Sequence, residues 1–413
     1  MNKEKLIPRL RFKSFLKNLD WKYTKLGEVA DIVGGGTPST QVEKYWNGDI
    51  NWFSPTEIGE TSYLNSSERK ITKLGLKKSS AKILPIGTVL FTSRAGIGKT
   101  AILEKESTTN QGFQSIVPKK NILNSYFIYS RSEEIKNYAE IVGAGSTFVE
   151  VSGKQLEKMM LLIPELKEQQ KIGSFFEKID KMIQLQQSKV NKVKNIKAAY
   201  LSEMFPKEGE KYPKRRFEGF QGVWRKIRLE QVLNQSGSGG TPRTTREDYY
   251  GGDIPFLGIS DITNSNGYIF NTEKTITVNG LNNSAAWIVP KESISLAMYA
   301  SVGKVAILKI KSATSQAFYN MVIKTQPTRD YIFQYLVKME EENMWDRIIS
   351  TGTQANLNAE KVRNLIIPIP IDIDEQEKIG SFFKNLDNQI YIEEEKLTKL
   401  EKLKQAYLND MFV

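Results

Sequence analysis

From residue 176 onward the apolar positions fall into a helical rhythm. Ile179, Ile183, Gln186, Val190, Val193, Lys197 and Tyr200 lie at alternating spacings of four and three, the seam of a coiled coil. The same spacing returns at Leu386, Ile390, Glu393, Leu397, Leu400, Lys404 and Tyr407. In both stretches the third and sixth seam positions are polar. A polar residue at such a place fixes register at some cost in stability, so the two helices are expected to pair with each other, antiparallel, with pseudo-twofold symmetry. The alternative, two amphipathic helices each lying on its own domain, fits the shared register less well. Elsewhere, β-branched runs such as Gly87-Thr88-Val89-Leu90-Phe91-Thr92 and Thr275-Ile276-Thr277-Val278, bounded by Gly, Pro or Asn, predict short strands. Residues 125–138 and 329–349 have helical spacing. The expected fold class is therefore α/β, in the mixed α+β sense.

The chain is written twice, which decides the architecture. Pro8-Arg9-Leu10-Arg11-Phe12 and Trp21 answer Pro213-Lys214-Arg215-Arg216-Phe217 and Trp224. Gly35-Gly36-Thr37-Pro38 and Gly48-Asp49-Ile50 answer Gly239-Gly240-Thr241-Pro242 and Gly252-Asp253-Ile254 at an offset of 204. A Gly-Lys pair, Gly98-Lys99 and Gly303-Lys304, and a Gln-x-Phe, Gln111 with Phe113 and Gln316 with Phe318, follow at 205. The strongest match sets residues 168–176 against 375–383, Glu-Gln-x-Lys-Ile-Gly-Ser-Phe-Phe, eight of nine identical at an offset of 207. The last quarter of each half is thus nearly constant while the first three quarters share only anchors. We divide the chain into a variable domain at 1–163, a first repeated helical region at 164–206, a second variable domain at 207–368 and a second helical region at 369–413.

Composition narrows the chemistry. The 413 residues contain no Cys and no His, which excludes zinc fingers, Cys nucleophiles, histidine bases and Ser-His-Asp triads. Oxygen-ligand metals and carboxylate mechanisms stay open, but no nuclease-like carboxylate cluster and no methyltransferase motif is found. The absence of disulfides and of an apolar signal segment predicts an intracellular protein, and no apolar run reaches 18 residues. Lys plus Arg at 59 against Asp plus Glu at 47 gives a net +12, which suits a polyanionic partner. Residues 189–228 hold 12 basic and 4 acidic side chains, so the middle of the chain is its most basic part.

Residues 93–100, Ser-Arg-Ala-Gly-Ile-Gly-Lys-Thr, nearly spell a phosphate-binding loop but lack its first glycine. The repeat acts as a control, because it has Met298 at that first position and Val305 in place of the magnesium-binding hydroxyl. What both copies keep is a glycine followed by a lysine, which predicts a tight turn presenting a cation. Lys99 and Lys304 are candidates for phosphate contacts on nucleic acid, against the alternative of solvated surface lysines. Arg94 could match the O6 and N7 of guanine, with Tyr299 as its counterpart. Gly-Gly-Thr-Pro reads as a turn whose glycines supply unusual dihedrals, from which Thr37, Ser39, Thr241 and Arg243 could touch DNA. Gln111 and Gln316 could pair with adenine, although buried glutamines satisfying backbone groups are the plainer expectation. Ser146, Thr147, Thr353 and Gln354 lie in small polar loops late in each variable domain and serve equally well as contacts or as plain turns. Trp21 and Trp224 are assigned to packing.

The order and duplication of these motifs, covering essentially the whole chain, resemble the specificity subunit of type I restriction-modification enzymes. The resemblance implies two target recognition domains, each reading one half of a bipartite, asymmetric double-stranded DNA site, separated by the paired helices. Those helices, through residues such as Ile179, Ile183, Val190, Val193, Tyr200, Leu386, Ile390, Leu397, Leu400 and Tyr407, would act as spacer and docking surface. It further implies two methyltransferase (modification) subunits using S-adenosylmethionine and two restriction subunits using ATP and Mg2+. This chain itself would then bind no cofactor or metal, catalyse nothing, and work in a prokaryotic cytoplasm. About 30 residues of helix at 1.5 Å each span roughly 45 Å, somewhat more than one turn of B-DNA. The competing readings are a stand-alone DNA-binding regulator, which would bind without a partner, a scaffold protein without sequence preference on DNA, and a P-loop NTPase, which would need Lys99 and Thr100.

Overall fold

The computed structural model describes residues 7–18, 20–59, 61–94, 96–144, 150–349 and 357–412. The chain falls into two compact units, residues 1–186 with 397–413, and residues 187–396. Each long helix is divided between them.

In the first unit a five-stranded sheet runs in the order Ala30–Gly34, Gln114–Pro118, Val89–Phe91, Thr100–Leu103, Tyr63–Leu64. Its neighbours are antiparallel except the last pair. A three-stranded sheet follows the order Arg69–Ile71, Trp46–Phe53, Ser107–Thr109, and Lys22–Lys25 pairs with Met160–Ile163. The second unit repeats this plan strand for strand. Its five-stranded sheet runs Leu233–Ser238, Phe318–Ile323, Ile294–Ala297, Val305–Leu308, Tyr268–Ile269. Its three-stranded sheet is Lys274–Ile276, Tyr250–Leu257, Ala313–Thr314, and Arg225–Arg228 pairs with Ile366–Ile369.

Two sequence expectations shift at the edges of elements. The run at 275–278 is a strand only to Ile276, because Thr277 caps a short helix by accepting from the Gly280 N–H. The helical spacing at 125–138 resolves into Ser125–Tyr129 and Ser132–Gly143, broken where Arg131 turns its guanidinium onto the Leu162 carbonyl at 2.6 Å. The helical spacing at 329–349 similarly divides into Gln326–Glu341 and a short turn at Met344–Arg347, joined through Asn343 in left-handed backbone.

The long helices are Leu166–Met204 and Ile373–Met411, 39 residues each. They are longer than the seam alone indicates, because the repeated Glu-Gln-x-Lys-Ile-Gly-Ser-Phe-Phe forms their opening turns. Within the first unit, Phe175 packs on Tyr407 and Phe176 stacks on Phe412, while Lys404 reaches Asp180 at 2.6 Å. Within the second, Tyr200 packs on Phe382, Phe205 stacks on Phe383, and Lys197 reaches Asp387 at 2.8 Å. Rising numbers on one helix meet falling numbers on the other, so the pairing is antiparallel. All fourteen predicted seam positions are shielded to some degree, while most of their neighbours are exposed. The sixth seam position is polar because it carries one half of an ion pair: Lys197 and Lys404 each meet the repeat-equivalent aspartate of the other helix.

The glycine of the repeated motif has a packing reason. A Cβ on Gly173 would lie 2.5 Å from Asn124 Oδ1, and one on Gly380 would lie 2.8 Å from Asp330 Cβ. These glycines let each long helix approach the helical segment of its own variable domain. Trp21 and Trp224 are buried, as assigned, in the apolar clusters joining domain to helices. Among the described residues no helix is long and apolar enough to cross a membrane.

Candidate nucleic-acid interface

The antiparallel order of the five-stranded sheet gathers three loops at one end. Strand Ala30–Gly34 leaves the sheet there into Gly-Gly-Thr-Pro, Val89–Phe91 leaves into the Gly-Lys turn, and Gln114–Pro118 enters from the Gln-x-Phe loop. Main-chain hydrogen bonds tie them together: Gly36 N–H to Thr109 O at 2.8 Å and Ser93 N–H to Gly112 O at 2.8 Å. A fourth segment joins through Val151 N–H to Ser93 O at 3.1 Å. In the second unit the corresponding bonds run from Gly240 to Thr314 at 3.0 Å, Met298 to Ala317 at 2.8 Å and Leu357 to Met298 at 3.1 Å.

The Gly-Lys segment is the tight turn that the sequence predicts, and its geometry rules out a phosphate-binding loop. It closes a β-hairpin between antiparallel strands instead of leading into a helix. Gly98 N–H donates to Thr92 O at 3.0 Å and Thr92 N–H to Lys99 O at 3.0 Å, with Gly96 and Gly98 at φ of 101° and 96°. The second copy repeats both bonds between Ala297 and Gly303 or Lys304, with Gly303 at φ 92°.

The glycines of Gly-Gly-Thr-Pro have a different role from the one expected. None of the four has positive φ. A Cβ on Gly35 would lie 2.0 Å from Asn110 O and one on Gly36 2.3 Å from Ser80 Oγ, with equivalent collisions at Gly239 and Gly240. They are small because the loop threads between two others. Gly-Asp-Ile lies at a break in strand register: Trp46 and Ile50 both pair with Ile71, and Tyr250 and Ile254 both pair with Ile276.

Gln111 and Gln316 are exposed, not buried as the plainer expectation held. Each accepts a hydrogen bond from the Gly-Gly-Thr-Pro threonine of its own unit: Thr37 to Gln111, and Thr241 to Gln316 at 2.5 Å. The cations differ between units. Lys99 is exposed with no carboxylate in ion-pair reach among the described residues, whereas Lys304 meets Glu340 at 3.1 Å. Arg94 is half-buried and its counterpart Tyr299 is 48% exposed. Ser39 and Arg243 are both exposed. Beside Arg243, the Arg246 guanidinium is pushed up by its hydrogen bonds to Asp248. Ser146, Thr147, Thr353 and Gln354 lie outside the described residues. The loop ends bring Thr37 against Gln111 in one unit and Thr241 against Gln316 in the other, with Ser39 and Arg94, or Arg243 and Tyr299, on the same linked loops, whereas Lys304 is turned toward Glu340 of the Gln326–Glu341 helix.

The basic stretch at 189–228 contributes fewer free cations than its count suggests. Lys194 pairs with Glu394, Lys197 with Asp387, Lys214 and Arg215 with Glu203, and Arg216 with Glu375. Sequence reasoning also missed what the first repeated motif does. Arg11 holds Glu168 through two bonds of 2.7 Å, and Arg216 holds Glu375 at 2.6 and 2.8 Å, with both glutamates fully buried. Hydrogen bonding to these carboxylates pushes both guanidinium pKa values up. A charge of each sign recurring at matched places in both halves was the available signal.

Compared with known proteins, residues 18–195 and 222–402 each match the model of the type I restriction modification DNA specificity domain. The chain belongs to this family. Similar proteins include the type I restriction enzyme MjaIX specificity subunit of Methanocaldococcus jannaschii, 32% identical over 253 residues, 59% of this chain and 58% of that protein. The EcoR124I/EcoR124II specificity subunit of Escherichia coli is 32% identical over 170 residues, 39% of this chain and 41% of that protein. The matched stretches thus span about four to six tenths of these relatives. Among solved structures, the type I restriction-modification S subunit from M. genitalium superposes with a TM-score of 0.64 at 14% identity, covering 98% of this chain and 99% of that one. A chain from a study of complex assembly and conformational transition of the type I R-M system gives 0.54 at 20% identity, covering 95% and 97%. The likeness of fold extends over nearly the whole specificity chain.

Proposed function

We propose that this chain is the DNA sequence-recognition subunit of a type I restriction-modification complex, non-catalytic in itself, and that it reads a bipartite, asymmetric site. The observation that carries this is the pair of loop clusters: one scaffold built twice in a chain of the specificity family, tipped with different side chains. Identical tips would suit a palindrome, and different tips suit two unlike half-sites. Arg94 and Lys99 give the first unit a guanidinium and an exposed ammonium for base edge and phosphate. Tyr299, Arg243 and an ion-paired Lys304 give the second a different surface.

The paired helices serve as spacer and as docking surface for two methyltransferase and two restriction subunits. S-adenosylmethionine, ATP and Mg2+ belong to those partners.

The test is long-read mapping of methylated adenines in cells carrying a matching methyltransferase subunit, with and without this chain. A split motif that depends on the chain is expected. No such motif, although the complex forms, would refute the proposal.

A further inference from the structure

At the loop ends one bond between two side chains recurs in both units with the same partners. The threonine of Gly-Gly-Thr-Pro donates its hydroxyl to the glutamine carbonyl of Gln-x-Phe, Thr37 to Gln111 and Thr241 to Gln316. Other positions on the same loops differ, Arg94 against Tyr299 and Ser39 against Arg243, and the lysine kept in both copies differs in setting, since Lys304 meets Glu340 while Lys99 has no carboxylate in ion-pair reach among the described residues. A glutamine retained only to tie two loops would be expected inside, with its amide N–H groups spent on backbone carbonyls. Both glutamines are instead exposed, and neither Nε2 has a partner among the described residues.

The chemistry of the pair selects a base. A carboxamide oxygen has two lone pairs. With one taken by the threonine, the side chain still offers an acceptor and, beside it in the same plane, a donor. In the major groove an adjacent donor and acceptor are N6 and N7 of adenine, whereas guanine shows two acceptors, cytosine a donor, and thymine an acceptor next to a methyl group. Resting on the DNA-reading role proposed above, we infer that Gln111 and Gln316 each read the major-groove edge of an adenine in their own half-site, with Thr37 and Thr241 as positioning residues. The two half-sites then share this one requirement and differ elsewhere. The adenine read is distinct from the one methylated, because a base undergoing methylation leaves the stack.

The test uses the full chain in complex with its methyltransferase subunits and maps methylated adenines genome-wide. Absence of a split motif with the wild-type chain would sink the DNA-reading role itself, separately from this inference. Given a wild-type motif, Gln111→Ala should relax one A·T position in one half-site, lowering discrimination there by roughly tenfold to a hundredfold, and Gln316→Ala one position in the other. Gln111→Glu keeps the shape and the threonine bond but presents only acceptors, so that position should move toward cytosine. Thr37→Val should blunt discrimination at the same position while Thr37→Ser retains it. An unchanged motif, relaxation spread over a whole half-site, or loss of all methylation in both Gln111 variants would overturn the inference and leave the pair a loop tie.

Discussion

Removing Arg11 tests whether the first repeated motif is a structural clamp. Its guanidinium meets Glu168 through two bonds of 2.7 Å, and the two side chains are 5% and 1% exposed. With charge centres about 4 Å apart and an effective dielectric constant near 20, the attraction is roughly 4 kcal/mol. Arg11→Ala removes it and strands a carboxylate at the buried start of a long helix, a change that typically costs about 3–5 kcal/mol. For a unit of roughly 200 residues, each kcal/mol lowers Tm by about 2–4 °C, so a fall on the order of 10 °C is expected.

The assay is thermal unfolding of the intact chain, with the two units distinguished by making Arg216→Ala in parallel. Arg11→Ala should lower the transition of the first unit and Arg216→Ala that of the second. Arg11→Lys keeps the charge but loses the two-pronged bond and should fall between wild type and alanine. Replacing both partners, Arg11→Met with Glu168→Leu, should restore most of the loss, since no buried charge is then left alone. A loss below about 1 kcal/mol for Arg11→Ala, the level of an exposed pair, would refute the reasoning.

Gly173→Ala would push a Cβ onto Asn124, whose side chain caps the Ser125–Tyr129 helix by accepting from Phe127 N–H, and should cost about 2 kcal/mol in chemical denaturation. Lys197→Met should destabilise the second unit by about 3 kcal/mol, because Asp387 loses its ion pair and keeps, among the described residues, the Gln334 amide, and a double-mutant cycle with Asp387→Asn should show clear coupling. Burial raises Tyr63, Tyr126, Tyr268 and Tyr331 and pushes Tyr335 up to about 12, while unfolded tyrosine titrates near 10. Between those values the unfolded chain binds fewer protons than the folded one, so this stability is fully present below about pH 10 and is lost as pH climbs toward 12. A Tm that stays flat from pH 9 to 11.5 would contradict it. Removing one heptad from each long helix keeps the seam in phase and shortens the helices by roughly 10 Å, so the gap between half-sites should shrink by about three base pairs while both halves persist.

The helices were legible because a seam at spacings of four and three is local, and because the second copy confirmed its register. Their polar positions were also readable, though only the structure supplies the partner: Asp180 and Asp387 lie off the seam, and nothing local marks them as mates of Lys404 and Lys197. Strand order was not legible. Several strands are two to four residues long, and neighbours in the sheets stand far apart in sequence, as when Lys22–Lys25 finds Met160–Ile163. The motifs were found at the right places for partly wrong reasons. Gly-Gly-Thr-Pro looked like a dihedral requirement and is a steric one, which depends on loops some 45 and 75 residues away. Gln111 was expected inside, satisfying backbone groups, but the loop turns it outward beside the fully buried Phe113.

The bonds that join the loops at each sheet end explain how one scaffold can carry unlike surfaces. Gly36 to Thr109, Ser93 to Gly112 and Val151 to Ser93 all run between main-chain groups, as do their three counterparts in the second unit. A main-chain bond survives any side chain its backbone tolerates, so Arg94 can become Tyr299 without loosening the turn. The residues whose identity the scaffold does need are the glycines that make room, the Thr–Gln tie, the buried phenylalanines and the Arg–Glu clamps, and these are the anchors that recur in both halves. Divergence is cheap where the fold depends on backbone and costly where it depends on packing. On the proposed reading of DNA, the recognised bases can therefore change in one half-site without disturbing the other.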